Sequence, residues 1–201
     1  MEIITPRGPA LGVVDEVERP GLLLVLTHGS AGGVDAPDLL AVRDAAMAAG
    51  ATVVRVLQPF RMAGARAPGS PARQDEAWTV ILAALHARWP GLPLVQGGRS
   101  NGARVACRTA KAVGAVAVVA LAFPLHPPGR PEKSRAAELR EAGVDVLAVS
   151  GDRDPFGVPD PDDVARLVVL PGEGHDLKKD PARVGAVVAE WIARFRAVPS
   201  D

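Results

Sequence analysis

The feature that most constrains this chain is a Gly-x-Ser-x-Gly pentapeptide, residues 98–102, set between an apolar run and a helical pattern. Residues 93–102 read as a buried strand that bends sharply and continues as a helix. A serine at such a bend has its hydroxyl pushed into the open, in the arrangement called a nucleophile elbow. Side chains at Gly98 or Gly102 would collide with the neighbouring strand or with the helix, so both positions require glycine. The motif therefore predicts an exposed Ser100 at the end of a buried strand.

The segment after the serine has the pattern of a helix packed against a sheet. Ala103, Ala106 and Cys107 begin an apolar stripe at helical spacing, whereas Arg104 and Arg108 are predicted to share the outer face. We interpret Cys107 as a small core residue, because nothing in the sequence would activate its thiol. Small residues beside the bend would let this helix lie close against the sheet.

Composition narrows the class of protein. With 201 residues, 48% of them hydrophobic, the chain is long enough for a single domain, residues 1–201, with a sizeable buried core. A formal charge of zero and an aromatic content of 3% argue against nucleic acid or an anionic membrane as a partner. One cysteine excludes an internal disulfide framework and a cysteine zinc site, and we predict no metal site.

The beginning of the chain carries no visible targeting pattern. A cationic region followed by an apolar run is missing there, so no signal peptide is predicted. The longest aliphatic run near the start, residues 22–26, is far too short to cross a bilayer. We therefore expect a soluble cytoplasmic protein.

Apolar runs alternate with helical patterns along most of the chain. A possible short edge strand at residues 12–14 precedes them, and Asp35 is predicted to cap the first helix. Residues 58–71, rich in Pro, Gly, Ala and Arg, are predicted to form a long irregular loop. The alternation indicates an α/β fold with a mostly parallel sheet, helices on both faces and a site at the strands' carboxyl ends. The strand before the elbow is joined by predicted strands at 21–26, 51–57, 114–122, 144–150 and 166–170.

Loops after the last two predicted strands supply an acid and a base. A serine hydroxyl needs a base to take its proton, and that base needs a third group to orient it. One loop carries Asp152 and Asp154 and the next carries His175, so the chain order is Ser, acid, His, as expected for an elbow of this kind. We prefer Asp154 because it lies further beyond the strand end and Pro155 stiffens its turn; Asp152 is the alternative.

The other histidines fit the role of base less well. His86 lies in the middle of a predicted helix, and His126 precedes the acid in the chain. His28 belongs to the first loop, where hydrogen bonding that fixes the loop is its more plausible role. His28 and His126 are nevertheless candidate substrate-binding residues. So is Arg99, which adjoins the serine and could bind an acidic substrate or form a structural ion pair.

Charge that develops on a carbonyl oxygen requires preorganised donors, and removing one donor typically costs about 10²–10³ in rate. The elbow places the Asn101 backbone N–H in that position, and the second donor is expected from the loop after the first long strand. The Ser30 N–H is the preferred second donor, with Ala31 as the alternative. Neighbouring glycines, including Gly29 and Gly32, give this loop the freedom to approach.

Residues 97–107 resemble the elbow of α/β-hydrolases related to dienelactone hydrolase. More closely, they resemble a KANL3/Tex30-like bacterial group usually called "α/β family hydrolase". Residues 26–32, 122–129 and 151–157 are similar to the same group, so the resemblance covers roughly residues 20–195.

This resemblance implies an α/β-hydrolase fold with Ser100, Asp154 and His175 as the triad and with no cofactor. Dienelactone hydrolases themselves have cysteine where this chain has Ser100, so their substrate does not transfer. Ser30 stands where the group often has alanine, which should leave a backbone donor intact. No insertion large enough for a lid domain follows the strand that ends near Ala122.

The residues together predict a serine hydrolase that cleaves a small ester or thioester through an acyl-enzyme. Residues 58–71 and 123–131 are expected to shape a shallow, open pocket for this small-molecule substrate. Arg61, Arg66 and Arg73, in or beside the 58–71 segment, are candidates for recognising an anion, although solvated surface charge is the simpler interpretation. The alternative function is a catalytically weak or inactive hydrolase-fold binding or interaction protein. Nucleotide binding is not favoured, because no glycine-rich phosphate-binding motif follows any predicted strand.

Overall fold

A computed structural model describes residues 1–197, and an eight-stranded sheet runs through their centre. The strands are β1 (Glu2–Thr5), β2 (Gly8–Asp15), β3 (Leu22–Thr27), β4 (Ala51–Leu57), β5 (Leu94–Arg99), β6 (Ala117–Leu121), β7 (Asp145–Gly151) and β8 (Arg166–Leu170). Their spatial order is β1-β2-β4-β3-β5-β6-β7-β8. The strands from β3 to β8 are parallel to their neighbours, whereas β1 and β2 are antiparallel additions at one edge. The predicted α/β fold with a mostly parallel sheet is confirmed.

Within residues 1–197, six helices flank the sheet. They are α1 (Pro37–Ala48), α2 (Pro59–Met62), α3 (Pro71–Arg88), α4 (Asn101–Thr109), α5 (Ala136–Arg140) and α6 (Pro181–Ile192). Short 3₁₀ turns lie at Pro131–Lys133, Pro161–Asp163 and Ala193–Phe195. Between β6 and α5 the chain is a short connection with one such turn, too small to be a lid domain.

The helices pack against the sheet through two apolar layers, one on each face of the sheet. Helices α3, α4 and α5 cover one face, where Trp78 is fully buried among side chains of the sheet. Helices α1 and α6 cover the other face around the fully buried Trp191. The backbones of α1 and α6 approach closely, since a Cβ placed on Gly185 would lie 2.5 Å from the Ala41 carbonyl oxygen. Burial on both faces explains why the central strands read as continuous apolar runs.

The sequence-based description of residues 1–36 needs two corrections. Instead of one short edge strand at 12–14, the chain forms the β1–β2 hairpin, with Pro9 opposite Ile4. Pro9 is tolerated because it lies near the start of β2, before the pairing with β4 begins at Leu11, so its missing N–H costs no bond to β4. Asp35 does not cap α1: the cap position is Ala36, and Asp35 Oδ1 instead accepts a hydrogen bond from Arg55 Nη1 at 2.7 Å.

The structure also refines two connecting segments. The 58–71 segment is not wholly irregular, since it contains the short helix α2. Between β7 and β8 the chain forms a single 3₁₀ turn at Pro161–Asp163. No helix within the described residues is both long and apolar enough to cross a membrane. The same part of the chain contains no cluster of three or more His, Cys, Asp or Glu side chains that could hold a metal ion.

Candidate active site

The bend between β5 and α4 has the geometry that the pentapeptide predicts. Ser100 adopts φ 53° and ψ −114°, in the positive-φ region that non-glycine residues rarely occupy. A Cβ on Gly98 would lie 2.5 Å from the Thr27 carbonyl oxygen, and one on Gly102 would lie 2.7 Å from the same atom. Since both obstacles are backbone atoms of β3, neither position can take a side chain without moving the sheet.

Three side chains from separate loops form one hydrogen-bonded run at the carboxyl ends of β5, β7 and β8. The Ser100 hydroxyl oxygen lies 2.8 Å from His175 Nε2, and His175 Nδ1 lies 2.8 Å from Asp154 Oδ2. Because a carboxylate only accepts, Nδ1–H is the donor to Asp154, and Nε2 is then free to accept the serine proton. The three predicted residues therefore meet in the structure.

The two candidate aspartates have different surroundings. The Asp154 side chain is fully buried, and its second oxygen, Oδ1, accepts a hydrogen bond from the Phe156 N–H at 2.9 Å. The Asp152 carboxylate instead accepts from the Gly172 N–H at 2.7 Å on the exposed side of the loop. Of the two carboxylates, only that of Asp154 is within hydrogen-bond distance of His175.

Sequence reasoning did not single out Phe156, which packs against the histidine ring. The two ring centroids are 4.2 Å apart with the planes inclined by 34°. This contact covers one face of His175, whose side chain is only 21% exposed. The available signal was proximity in sequence, since Phe156 shares the tight turn that carries Asp154.

The two residues predicted to supply backbone donors, Ser30 and Asn101, both line the cleft beside the serine. Within residues 1–197 neither backbone N–H has a hydrogen-bond acceptor. The loop after β3 touches the nucleophile, since a Cβ on Gly29 would lie 3.2 Å from the Ser100 Cβ. Two unpaired N–H groups next to a serine hydroxyl can stabilise negative charge that develops on a carbonyl oxygen.

His28 does not reach the cleft, contrary to its assignment as a candidate substrate-binding residue. Its ring is fully buried, Nδ1–H donates to the Gly29 carbonyl at 2.7 Å, and Nε2 accepts from the Gln58 N–H at 3.0 Å. Burial lowers the pKa of His28, and the neighbouring Arg61 guanidinium acts in the same direction. A neutral ring with both nitrogens bonded to the backbone fixes the loop and cannot contact a substrate.

His126 likewise lies outside the cleft surface, so its assignment as a candidate substrate contact also needs correction. Its Nδ1 lies 2.9 Å from the Pro127 carbonyl oxygen, and its backbone N–H donates to the Phe156 carbonyl at 2.9 Å. A Cβ on Gly157 would run into the His126 ring. His126 therefore packs against the turn that carries Asp154 and Phe156.

The cleft has a volume of about 360 Å³ and is open to solvent on one side. None of its lining residues comes from the 58–71 segment, so neither that segment nor its Arg61 and Arg66 shapes the pocket as expected. The predicted cleft residue Arg99 does line it, with its Nε 3.4 Å from Asp38 Oδ2. The remaining walls come from residues 29–32 and from Asn101, Arg104, Pro124, Arg135 and Phe156.

Arg104 and Arg108 are the two partly exposed residues of α4, as expected for its outer face, and both contact Glu138. The outer side of α4 is partly covered by α5, and Arg104 turns toward the cleft and toward Glu138 on α5. The pattern of α4 alone could not reveal this cover, because α5 lies more than 25 residues further along the chain. Cys107 lies in the core as predicted, and burial raises the pKa of its thiol well above the usual range.

Comparisons with known proteins agree with this architecture. A protein-family model described as alpha/beta hydrolase domain matches residues 20–190. Among solved structures, an α/β serine hydrolase without lid from Xanthomonas campestris is 19% identical with a TM-score of 0.78, covering 100% of this chain and 95% of that one. The dienelactone hydrolase from Anabaena variabilis is 17% identical with a TM-score of 0.79, covering 98% and 96%.

A third solved structure, Est1E from Butyrivibrio proteoclasticus with ferulic acid bound, is 16% identical with a TM-score of 0.74 and covers 97% of this chain and 98% of that one. At these identities the solved structures establish the fold alone. None of the curated proteins matches the chain. The finer KANL3/Tex30-like grouping stays a prediction.

Proposed function

The chain belongs to the alpha/beta hydrolase domain family, and from that premise we propose that it is a serine hydrolase cleaving a small ester or thioester through an acyl-enzyme. The observation that carries the proposal is the unbroken run from Ser100 through His175 to Asp154, with 2.8 Å at each link. Such a run supplies a nucleophile, a base within hydrogen-bond reach and a group that orients the base.

In the proposed acylation step, His175 Nε2 takes the Ser100 proton while the serine oxygen attacks the substrate carbonyl carbon. The resulting oxyanion accepts hydrogen bonds from the Asn101 and Ser30 N–H groups. As the tetrahedral intermediate collapses, the His175 proton passes to the departing alkoxide or thiolate, and the acyl group stays on Ser100. Asp154 remains ionised and stabilises the imidazolium.

Deacylation repeats these steps with water as the nucleophile. His175 takes a proton from the water, the hydroxide attacks the acyl carbon, and the proton returns to Ser100 as the carboxylic acid leaves. Each step uses protein groups, substrate and water. The short β6–α5 connection and the cleft volume of about 360 Å³ favour small soluble esters over long-chain lipids.

The second candidate, a hydrolase-fold binding protein with weak or no activity, is not favoured. Loss of activity in such proteins would be expected to come with a degraded triad or a blocked nucleophile. Here the triad geometry is complete, and Ser100 faces an open cleft.

A fluorophosphonate probe tests the proposal, because it reacts with serines activated by a base. Wild-type protein is expected to be labelled on the peptide that contains Ser100, and Ser100→Ala is expected to abolish labelling. The exposed Ser70→Ala is the matched control and should be labelled like the wild type. Folded wild-type protein that is not labelled would contradict the proposed function and favour the binding protein.

A further inference from the structure

Three arginines line the cleft beside the proposed triad, and two of them face carboxylates. Arg104 binds Glu138 through two contacts, Nε to Oε2 at 2.9 Å and Nη2 to Oε1 at 2.5 Å. Arg99 faces the buried Asp38, with 3.4 Å between Nε and Oδ2. Arg135 is the third.

Arg135 has no carboxylate within 4.0 Å among the described residues. Its nearest candidate partner, Glu138, is one turn further along the chain, but both Glu138 oxygens already accept from Arg104. Arg108 approaches the same carboxylate, with 3.5 Å between Nη1 and Oε2. Both carboxylate oxygens of Glu138 are therefore engaged by Arg104 and Arg108 of α4 rather than by Arg135.

The position of the Arg135 guanidinium is nevertheless fixed. Its Nη1–H donates to the Pro124 carbonyl at 2.7 Å, and the Arg135 backbone N–H donates to the Leu125 carbonyl at 2.7 Å. Pro124 itself lines the cleft. The remaining guanidinium N–H groups have no acceptor within residues 1–197, so a planar fork of donors stays available at the cleft wall.

The charges around this wall do not balance. Arg104, Arg108 and Arg135 contribute three positive charges, whereas Asp75 and Glu138, the carboxylates that pair with this group, contribute two negative ones. Burial and the nearby Arg104 guanidinium both lower the pKa of Arg135, whereas the Glu138 carboxylate raises it. A ligand with one negative charge would reduce the repulsion between these guanidinium groups and would balance the three positive charges with three negative ones.

We propose that Arg135 binds a free carboxylate group of the substrate. The preferred substrate is then a small ester that also carries a carboxylate, separate from the ester bond that is cleaved. This inference rests on the proposed function. It commits to a carboxylate because one uncompensated guanidinium matches one negative charge and because a guanidinium fork matches carboxylate geometry. The ester bond is cleaved by acylation and deacylation of Ser100, and the free carboxylate takes no part in either step.

The test compares esters that differ only in this charge. In one pair the charge is on the leaving group: 4-acetoxybenzoate against 4-acetoxybenzamide. In the other pair it is on the acyl group: monomethyl glutarate against methyl 4-carbamoylbutanoate. For each pair the measured quantity is the ratio of kcat/KM for the carboxylate to kcat/KM for the neutral amide.

Wild-type protein is expected to prefer the carboxylate about 10- to 100-fold in at least one pair, the range of a charge-assisted hydrogen bond. Arg135→Gln should bring that ratio close to one, and Arg135→Lys should restore part of it because the charge returns without the fork. Arg130→Gln is the matched control, since Arg130 is exposed, lies on the same connection and does not line the cleft.

Several results would overturn the inference. A wild type that shows no preference in either pair would do so, as would an Arg135→Gln variant that lowers both members of a pair by the same factor. A higher kcat/KM for 4-acetoxyphenyl phosphate than for 4-acetoxybenzoate would overturn the choice of carboxylate. Labelling by the fluorophosphonate probe separates the two claims: labelled protein without preference refutes only this inference, and unlabelled protein refutes the proposed function with it.

Discussion

At Ser100 the backbone is held in a conformation that costs a non-glycine residue about 1–3 kcal/mol. Hydrogen bonds on both sides of the residue maintain it: the Ser100 N–H donates to the Leu121 carbonyl at 2.9 Å, and the Arg104 N–H donates to the Ser100 carbonyl at 3.3 Å. This backbone conformation leaves the Ser100 hydroxyl outside the helix, 2.8 Å from His175 Nε2. The fold gives up stability at the residue where the proposed reaction needs an accessible oxygen.

The two aspartates of the β7 loop allow a matched comparison of the orienting role. Asp154→Asn is expected to lower kcat for a p-nitrophenyl ester about 10³- to 10⁴-fold, because the amide would favour the wrong imidazole tautomer. Asp152→Asn weakens only the bond to the Gly172 N–H and is expected to lower kcat less than about threefold. Equal losses in two folded variants would contradict the role of Asp154.

Asp38 makes stability depend on pH. Burial raises the pKa of its carboxyl to about 6, and the Arg99 guanidinium opposes the rise. Since the folded state prefers the protonated acid, the stabilising contribution is complete below pH about 4 and is lost as pH rises through about 6. Asp176 lies nearby, but its pair with Lys178 lowers its pKa, so it titrates below this window.

Unfolding by urea between pH 4 and pH 8 measures this effect. The free energy of unfolding of Asp38→Asn relative to wild type should rise across pH 4 to 6 by up to about 3 kcal/mol and then level off. Parallel stability curves for the two proteins would show that Asp38 does not titrate in this range.

Single residues differ in how far the sequence could predict them. Ser100, Asp154 and His175 could be named because each follows a strand and because their order in the chain leaves few alternatives. The burial of His28 and the pairing of Arg104 with Glu138 could not. They depend on the Gln58 N–H and on Glu138, which lie about 30 residues away in sequence and become neighbours only after folding.

At the level of elements, strand register brings the loops of the site together. Thr27 at the end of β3 is paired with Gly98 at the end of β5, so the loop that follows β3 lies against the serine. Gly151 at the end of β7 is paired with Leu170 at the end of β8, so the acid and histidine loops leave the sheet side by side. The Arg153 N–H donates to the Glu173 carbonyl at 3.0 Å and joins these two loops.

Helix α2 supports the loop that carries the proposed Ser30 donor. Arg61 Nε donates to the Gly32 carbonyl at 3.1 Å, and no other charged side chain among residues 1–197 bonds to that carbonyl. Arg61→Ala is expected to lower kcat about 3- to 10-fold through a misplaced donor, in the range of one lost hydrogen bond. KM should change little, because Arg61 does not line the cleft.

Steady-state kinetics with a neutral ester checks this role. Arg66→Ala is the matched control, since Arg66 is exposed on the same segment and lies outside the cleft. An Arg61→Ala variant with unchanged kcat, or one whose KM rises while kcat holds, would show that the bond to Gly32 does not position the donor.

Elements with strong apolar patterns could be predicted, and those shaped by tertiary contact could not. The parallel strands were evident because burial on both faces demands continuous apolar runs. The β1–β2 hairpin could not be predicted in full because Pro6 and Pro9 read as breakers, although Pro6 lies between the two strands and Pro9 precedes the pairing of β2 with β4. Helix α2 was missed because four residues are too short to show a helical period.

For the molecule as a whole, balanced charge conceals a local imbalance. The chain has 23 basic and 23 acidic residues, so its total charge gives no hint of an anionic ligand. Folding nevertheless places Arg135, which has no carboxylate within 4.0 Å among residues 1–197, close to Arg104 and Arg108, which share the carboxylates of Asp75 and Glu138. A preference for an anionic substrate is thus a property of the assembled sheet and helices, which composition does not reveal.

The central claim is that Ser100 carries the acyl group during turnover, and rapid-quench mass spectrometry tests it most directly. Wild-type protein mixed with p-nitrophenyl acetate and quenched in acid should carry one acetyl group on the peptide that contains Ser100. Ser100→Ala should carry none and should lose turnover. An acetyl group on another residue, or turnover that survives Ser100→Ala undiminished, would contradict the account.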